Sequence, residues 1–489
     1  MKKLIKNSII LGGTRLGART LGLISTFIIA RILAPEDYAV MATCMIVQDL
    51  AYRLESVGFR ENIISRQELD NKFIGSLLYL RLFFGVILFL FVFFSSDYAA
   101  DFFNNPAVGP VLEVTSLIFL IQPLLNINVT IEIRNRNFIP NLKIQIFSKI
   151  ISVISTITLA LILENFWALA IGMVIGSISQ TIISHLVLPT VWPKHFLKNE
   201  AKNIFGFSKW HLILQLTSFT GEKLNIFVVA KIFEQKIIGF FSLGSQIAQM
   251  YALEIVNAVD RANLSELANT KREAGDFKKK LLSSFSFNFT LKLLLLTPAY
   301  LVLILHTEFI INLLLGDQWL GMIEFFQLFA LSAFIMGFSS TYEYGLIVYR
   351  VPKLSFYITL FALLIRGIFV YFAYIYRDPI ILALSGVAIQ LFRLLATSLI
   401  LSSLSNTTIY SHLRLILREL IYMSIFTFIF ILALNFPYHP LIQISLSILL
   451  SLLFVVTVFF IKPECQLGKV VHSSARYISN KIKINKNGI

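Results

Sequence analysis

Long apolar stretches follow one another along most of this 489-residue chain, and Lys and Arg collect in every second gap between them. No motif constrains the fold as strongly. A helix needs roughly 20 apolar residues, each rising 1.5 Å, to cross a bilayer. Hydrophobic residues make up 57% of the chain and charged residues 14%, with a mean hydropathy of +0.78. A water-soluble domain has no means of hiding that much apolar surface, so the bilayer must act as solvent. Fourteen stretches qualify: 8–33, 38–60, 75–95, 107–129, 141–163, 166–188, 206–232, 237–260, 280–305, 319–345, 353–376, 379–402, 413–434 and 440–461. The expected fold class is an all-α polytopic membrane protein.

The gaps set its orientation. One series holds Lys2, Lys3 and Lys6, then Arg60, Arg66 and Lys72, then Arg134, Arg136 and Lys143, then Lys194, Lys198, Lys202 and Lys209. It continues with Arg261, Lys271, Arg272, Lys278, Lys279 and Lys280, then Arg350 and Lys353, then Arg414 and Arg418, and ends with six bases between Lys462 and Lys486. The alternate gaps hold only Arg31, Lys231, Lys236 and Arg377. Bases accumulate on the cytoplasmic side, so both termini are expected in the cytoplasm and the number of spans is even. The formal charge of +15 therefore marks a membrane face that meets anionic lipids, and no nucleic-acid partner is expected.

Other chemistries lack their residues. Two cysteines, Cys44 in a span and Cys465 in the tail, allow neither a disulfide nor a cysteine metal site. The seven His are scattered without ligand spacing, and neither a phosphate-binding Walker loop nor a Gly-x-Ser-x-Gly elbow occurs. We expect no metal, no cofactor and no enzymatic activity. The N-terminal apolar run has no early small-residue cleavage site and is read as an uncleaved first span.

The chain repeats itself. Ile29-Ala30-Arg31-Ile32-Leu33 recurs as Val229-Ala230-Lys231-Ile232-Phe233, two hundred residues on. Gly58-Phe59-Arg60-Glu61-Asn62 corresponds to Val259-Asp260-Arg261-Ala262-Asn263, and Arg81 and Lys292 fall at comparable depth in the spans that follow. This register predicts two six-helix bundles, 1–188 and 206–402, joined by a basic cytoplasmic linker at 189–205. An additional helix pair at 403–462 and a basic cytoplasmic tail at 463–489 complete the chain. An even number of spans per unit makes the repeats parallel, about an axis along the membrane normal and around a central cavity, a geometry suited to alternating access.

Charges inside the spans carry the functional reading. Placing a charge at the centre of a spanning helix costs about 2.5–3.5 kcal/mol, so a chain that keeps several needs a use for them. Arg15 and Arg19 share a face of the first helix, and Asp49 and Arg53 share a face of the second at matched depth. Arg81, Lys149, Lys223, Lys292 and Arg366 add further cations, beside Glu113, Glu222, Glu254, Glu324, Glu343 and Arg393. Arg393 and Glu113, near span ends, read more readily as structural. A wet passage lined by Arg15, Arg19, Arg53, Arg81, Lys149, Lys223, Lys292 and Arg366 suits an anionic passenger, because guanidinium groups grip phosphate or carboxylate through paired hydrogen bonds. Asp49, Glu222 and Glu254 are the candidates for carrying a coupling ion, proton or sodium. Pro123 and Pro298 are the candidate kinks.

The stretch Ala30-Arg31-Ile32-Leu33-Ala34-Pro35-Glu36-Asp37-Tyr38-Ala39-Val40-Met41-Ala42 resembles the A-R-L-L-x-P-E-D-F/Y-G-x-x-A segment of bacterial polysaccharide transporters, members of the multidrug/oligosaccharidyl-lipid/polysaccharide flippase superfamily. Gly58-Phe59 with Ile63-Ile64 resembles their second-helix ending, and Gly239-Phe240-Phe241-Ser242 stands where they carry L-G-x-Y-x-x-A. Ala39 replaces the usual Gly, Phe241 the usual Tyr, and Asn225 lies near a common acidic position. The resemblance implies a flippase that moves an undecaprenyl-diphosphate-linked oligosaccharide across the bacterial inner membrane for O-antigen, capsule or exopolysaccharide assembly. Its implied partners are that anionic lipid-linked oligosaccharide, membrane lipids, and a polysaccharide polymerase with other assembly proteins. A lipid II flippase and a multidrug antiporter of the same superfamily are alternatives, the latter disfavoured by the excess of bases. A membrane glycan polymerase or ligase is a further alternative, but the outer loop 95–110 lacks the Arg and His such a protein would show.

Overall fold

In the lipid interior a backbone N–H or C=O without a partner costs several kcal/mol, and helices satisfy these groups within one segment. The computed structural model follows that rule. It describes residues 17, 20–55, 59–66, 68–190, 196–272, 277–349, 351–405, 407–434 and 440–461, so Arg15, Arg19, Arg350 and the tail 463–489 lie outside the described residues. The helices are α1 (Thr20–Ile32), α2 (Pro35–Glu55), α3 (Phe59–Ser65), α4 (Asn71–Phe94), α5 (Ser96–Phe102), α6 (Val108–Ser116), α7 (Ile118–Ile121), α8 (Asn128–Arg134), α9 (Ile139–Leu163) and α10 (Trp167–Val187). They continue with α11 (Lys198–Ile232), α12 (Gln235–Arg272), α13 (Phe277–Leu305), α14 (Thr307–Leu314), α15 (Ile323–Tyr349), α16 (Pro352–Tyr376), α17 (Ile380–Leu404), α18 (Ile409–Leu434) and α19 (Pro440–Ile461). No strand occurs among the described residues, and a helix or broken helix overlaps each of the fourteen stretches. Among the described residues seven helices are long and apolar enough to cross a membrane, and a bent pair adds an eighth candidate. Helix α2 falls short of that standard because Glu36, Asp37, Asp49, Arg53 and Glu55 interrupt it. The protein is an all-α polytopic membrane protein.

The chain divides into two compact units, 1–243 with 311–321, and 244–310 with 322–489. In the first unit α9 and α10 pack through small residues. An ideal Cβ added at Gly172 would lie 2.0 Å from the Thr156 hydroxyl, and one at Gly176 would lie 2.8 Å from that of Ser152. The pattern is small-xxx-small on both helices: water-driven burial is absent between helices in lipid, so close backbone approach and dispersion contacts hold them.

Pro123 breaks its helix where the sequence places a kink. The pair Val108–Leu124 and Asn128–Arg134 is bent by 58° at this point. The carbonyls freed by the break are taken by neighbouring side chains. Arg81 donates to the Gln122 carbonyl at 3.0 Å and His185 Nε2 lies 2.8 Å from that of Leu124, while Asn126 Nδ2, at the break, donates to the carbonyls of Leu188 and Pro189 at the end of α10. Pro298 behaves differently, since α13 runs through it uninterrupted.

The repeat is visible in the backbone. Leu33 N donates to Ile29 O at 2.9 Å and Phe233 N to Val229 O at 3.0 Å, ending α1 and α11 alike before α2 and α12 begin two residues later. The helix after each following span is short: α5 follows α4 and α14 follows α13, where the sequence suggests only loops. The two repeated bases then bind one another's short helices. Arg31 donates to the terminal carbonyls of α14, Leu313 and Leu314, while Lys231 donates to the terminal carbonyl of α5, Phe102, at 2.5 Å and sits 4.5 Å over its ring. Cations at helix C-termini complement the dipole there. Trp319, fully buried, completes the docking of 311–321 by donating to Ala30 O at 2.7 Å and meeting Tyr38 edge-on at 5.2 Å.

Gly172→Ile should destabilise the first unit by about 1–3 kcal/mol, the usual cost of overpacking. Thermal melts in detergent should show a lower midpoint, partly recovered by adding Thr156→Ala. An unchanged midpoint would refute the close approach of α9 and α10.

Candidate functional site

The densest set of intramembrane charges lies between α2 and α11, within the first unit. Asp49 and Arg53 are one helical turn apart on α2. Lys223 Nζ approaches Asp49 Oδ2 to 2.5 Å, and Arg53 Nη2 donates to Glu222 Oε2 at 2.5 Å. Arg53 Nη1 also donates to Gln215 O at 3.2 Å, and its guanidinium lies 5.7 Å from the centre of the Phe219 ring. Ascending α2 from 49 to 53 thus descends α11 from 223 to 215, so the two helices run antiparallel here. Glu222 and Lys223, adjacent in sequence and about 100° apart on the helix, each reach a different residue of α2. The result is a ladder of two oppositely oriented ion pairs.

This ladder is not sealed. Glu222 keeps 61% of its side-chain surface exposed, Asp49 37% and Lys223 27%. Opposite charges at such exposure hold each other weakly, by roughly 0.2–1 kcal/mol per pair. An anionic or cationic ligand can therefore compete for either member at little cost. Below it, outside the spans, Arg66 binds Glu200 at 2.7 Å, and that carboxylate holds the Arg66 guanidinium above its ordinary value.

The remaining sequence-predicted residues are scattered. Arg81 is half-buried and secures the Pro123 break through Gln122. Lys149, also half-buried, lies beside α1, with its Cε 3.5 Å from an ideal Cβ on Gly22. Glu254 is half-buried on α12, and Glu113 and Glu324 are half-buried and exposed respectively. In the second unit, Arg366 on α16 lies within electrostatic reach of Arg393 on α17, which donates to Glu343 on α15 at 3.1 Å.

Lys292 occupies another setting. It has no exposed surface, and its ammonium meets Asp260 Oδ1 at 2.6 Å, Ser340 Oγ at 2.8 Å and Thr341 Oγ1 at 2.7 Å. Two hydroxyls accept from the ammonium and Asp260 balances its charge, so Lys292 ties α12, α13 and α15 together. Its role differs in kind from that of the half-exposed bases. Asp260 had only a weak signal in the sequence: it is the acid nearest the end of the span that precedes Lys292.

Two measurements separate these settings. Lys292→Met alone should destabilise the protein by about 3–5 kcal/mol, because it strands a buried carboxylate, and Lys292→Met with Asp260→Asn should recover most of that. Exchanging Asp49→Lys with Lys223→Asp should preserve the melting midpoint better than either change alone. A double-mutant cycle should give a coupling of about 0.5–1 kcal/mol, and strict additivity would show that the ladder contributes nothing.

Comparison with known proteins places this geometry in a family. A family model described as "Polysaccharide biosynthesis protein" matches residues 28–324. The lipopolysaccharide biosynthesis protein WzxC of Escherichia coli K12 is 23% identical over 321 residues, covering 63% of this chain and 62% of WzxC. The teichuronic acid biosynthesis protein TuaB of Bacillus subtilis 168 is 22% identical over 278 residues, covering 56% of each chain. The chain thus spans about three-fifths of the length of the curated relatives it matches. Among solved structures, the lipid II flippase MurJ in an inward closed conformation matches at a TM-score of 0.72 with 18% identity, over 92% of this chain and 99% of that one. An inward-facing multidrug resistance MATE transporter of the MOP superfamily matches at 0.61 with 14% identity, over 81% and 99%. Both solved structures share the fold. With its matched segment containing α2 and the ladder, the chain belongs to the family of polysaccharide biosynthesis proteins.

Proposed function

We propose that the protein translocates an undecaprenyl-diphosphate-linked oligosaccharide, a repeat unit of O-antigen, capsule or exopolysaccharide, across the bacterial inner membrane by alternating access. The family match over residues 28–324 carries this reading. The α2–α11 ladder supports it chemically. A lipid diphosphate arriving beside Arg53 and Lys223 can take the place of Glu222 and Asp49, whose displaced carboxylates are then balanced by a proton, a sodium ion or solvent. By sequence, Arg15, Arg19, Arg81, Lys149 and Arg366 are further candidates to meet the passenger's phosphates. Two six-helix bundles, 1–188 and 206–402, moving about a central cavity with both termini in the cytoplasm, are the arrangement we infer for transport.

Ion coupling fits the same groups. Asp49 and Glu222 are each engaged by a cation of the protein, so a coupling proton or sodium ion has to compete with Lys223 or Arg53 for them. Substrate release would free Arg53 and Lys223 to re-form the ladder with Glu222 and Asp49. No bond in the passenger is made or broken in this scheme, and a polymerase acting afterwards would consume it.

Arg53→Ala and Arg366→Ala should each reduce surface polysaccharide about tenfold or more, the loss expected for a hydrogen-bonded charge on a phosphate. Membrane levels of the protein should stay normal by immunoblot, and Arg19→Ala should behave alike. Normal glycan display in all three variants would refute the cationic passage. Accumulation of the lipid-linked precursor in the inner leaflet would distinguish failed translocation from failed synthesis.

A further inference from the structure

One intramembrane base stands apart. Arg53, Lys223 and Lys292 each face a carboxylate, and Arg81 and Arg393 each donate to an oxygen of the protein. Lys149, in the first unit, has neither a hydrogen bond nor an ion pair among the described residues. The composition of the helices around it explains why. No Asp or Glu occurs between Met1 and Pro35, so α1 carries no acid, and none occurs from Ile139 to Leu163 in α9 or from Trp167 to Val187 in α10. The flanking acids, Glu132 and Glu164, lie beyond the two ends of α9. The first expected span adds cations instead, Arg15 and Arg19.

Snorkelling does not account for this lysine. Lys149 lies ten residues, roughly 15 Å, along α9 from Ile139, and Gly22 lies ten residues, roughly 15 Å, from the end of α1 at Ile32. The ammonium is held at that level, with Nζ 3.8 Å and Cε 3.5 Å from an ideal Cβ on Gly22. Against a hydrocarbon core of about 30 Å it lies deep, farther from either interface than a lysine stem reaches. Gly22 supplies the room: with no side chain there, the ammonium lies against α1 and stays only half-buried. An unanswered charge at this depth is costly, so an anion that answers it is favoured. At Arg53 or Lys223 an arriving anion has a carboxylate to displace, whereas at Lys149 it displaces none. Phospholipid head groups stay at the membrane surface, about 15 Å away, and only a head group in transit passes this level.

We propose that Lys149, in the notch that Gly22 leaves between α1 and α9, binds the phosphate group of the lipid-linked passenger and makes the protein selective for a polyprenyl diphosphate over an ordinary phospholipid. This assignment rests on the transport reading and singles out one residue within it.

Native mass spectrometry of the full-length protein in detergent, titrated separately with undecaprenyl diphosphate and phosphatidylglycerol, tests it. The wild-type protein should retain undecaprenyl diphosphate more tightly. Lys149→Met keeps the side-chain bulk and removes the charge, and it should weaken that retention about tenfold or more, as expected for a lost charge-assisted contact. Lys149→Arg should keep most of it. Gly22→Leu fills the notch without touching a charge and should weaken retention likewise. Because Lys149 has no counter-charge to strand, Lys149→Met should melt at or above the wild-type midpoint, unlike Lys292→Met. A midpoint lowered as far as in Lys292→Met gives Lys149 a structural role and overturns the proposal. Wild-type retention in Lys149→Met also overturns it, and a preference for undecaprenyl diphosphate that persists there leaves the transport reading standing. Equal retention of the two lipids by the wild-type protein, with both lost in Lys149→Met, overturns the proposal together with the passenger it rests on and makes the notch a phospholipid site.

Discussion

Hydrocarbon offers no water to accept a stray proton donor, and that single constraint organises this protein. Several departures from an uninterrupted apolar helix are met by a partner. Carbonyls at the Pro123 break are met by Arg81 and His185, and Asn126 there ties the broken helix to the end of α10. The Lys292 ammonium, wholly buried, is met by two hydroxyls and the Asp260 carboxylate. The terminal carbonyls of α5 and α14 receive Lys231 and Arg31. Close packing then does what hydrophobic burial does in water, most visibly where Thr156 fills the notch at Gly172.

Within that rule the charges separate by exposure. Lys292 and Asp260 are both 0% exposed and act as a structural tie. Asp49, Arg53, Glu222 and Lys223 lie partly open, in pairs that neutralise one another while the site is empty. A passage lined by unpaired bases would be costly at rest and would bind any anion strongly. On the transport reading proposed above, a ladder of exchangeable pairs would lower both costs, because a phosphorylated passenger would trade places with carboxylates already present. That arrangement suits a carrier, which has to release what it binds.

The reciprocal contacts of Arg31 and Lys231 show what the repeat accomplishes. Each base ends the first helix of its own repeat and caps a short helix of the other. Trp319 then anchors 311–321 against the turn between α1 and α2. This explains why a segment late in the sequence joins the compact unit formed by the first 243 residues.

Much was legible in the chain itself. Apolar length and spacing announced the membrane helices, the two-hundred-residue echo announced matched helix ends, and the stretch at 30–42 announced the family. These are local or periodic properties, written in consecutive residues, and they survive without knowledge of any contact. The partners of the charges were not legible. Nothing in the spacing of Asp49 and Arg53 says that Lys223 and Glu222, far away in sequence, meet them. Nothing around Lys292 says that it is closed off whereas Arg53 is open. Likewise α5 and α14 read as loops, since seven or eight residues are too few to carry a periodic signal. Which helix faces lie against each other is decided by packing between segments far apart in sequence, and that packing alone determines whether a buried charge is a tie or a binding group.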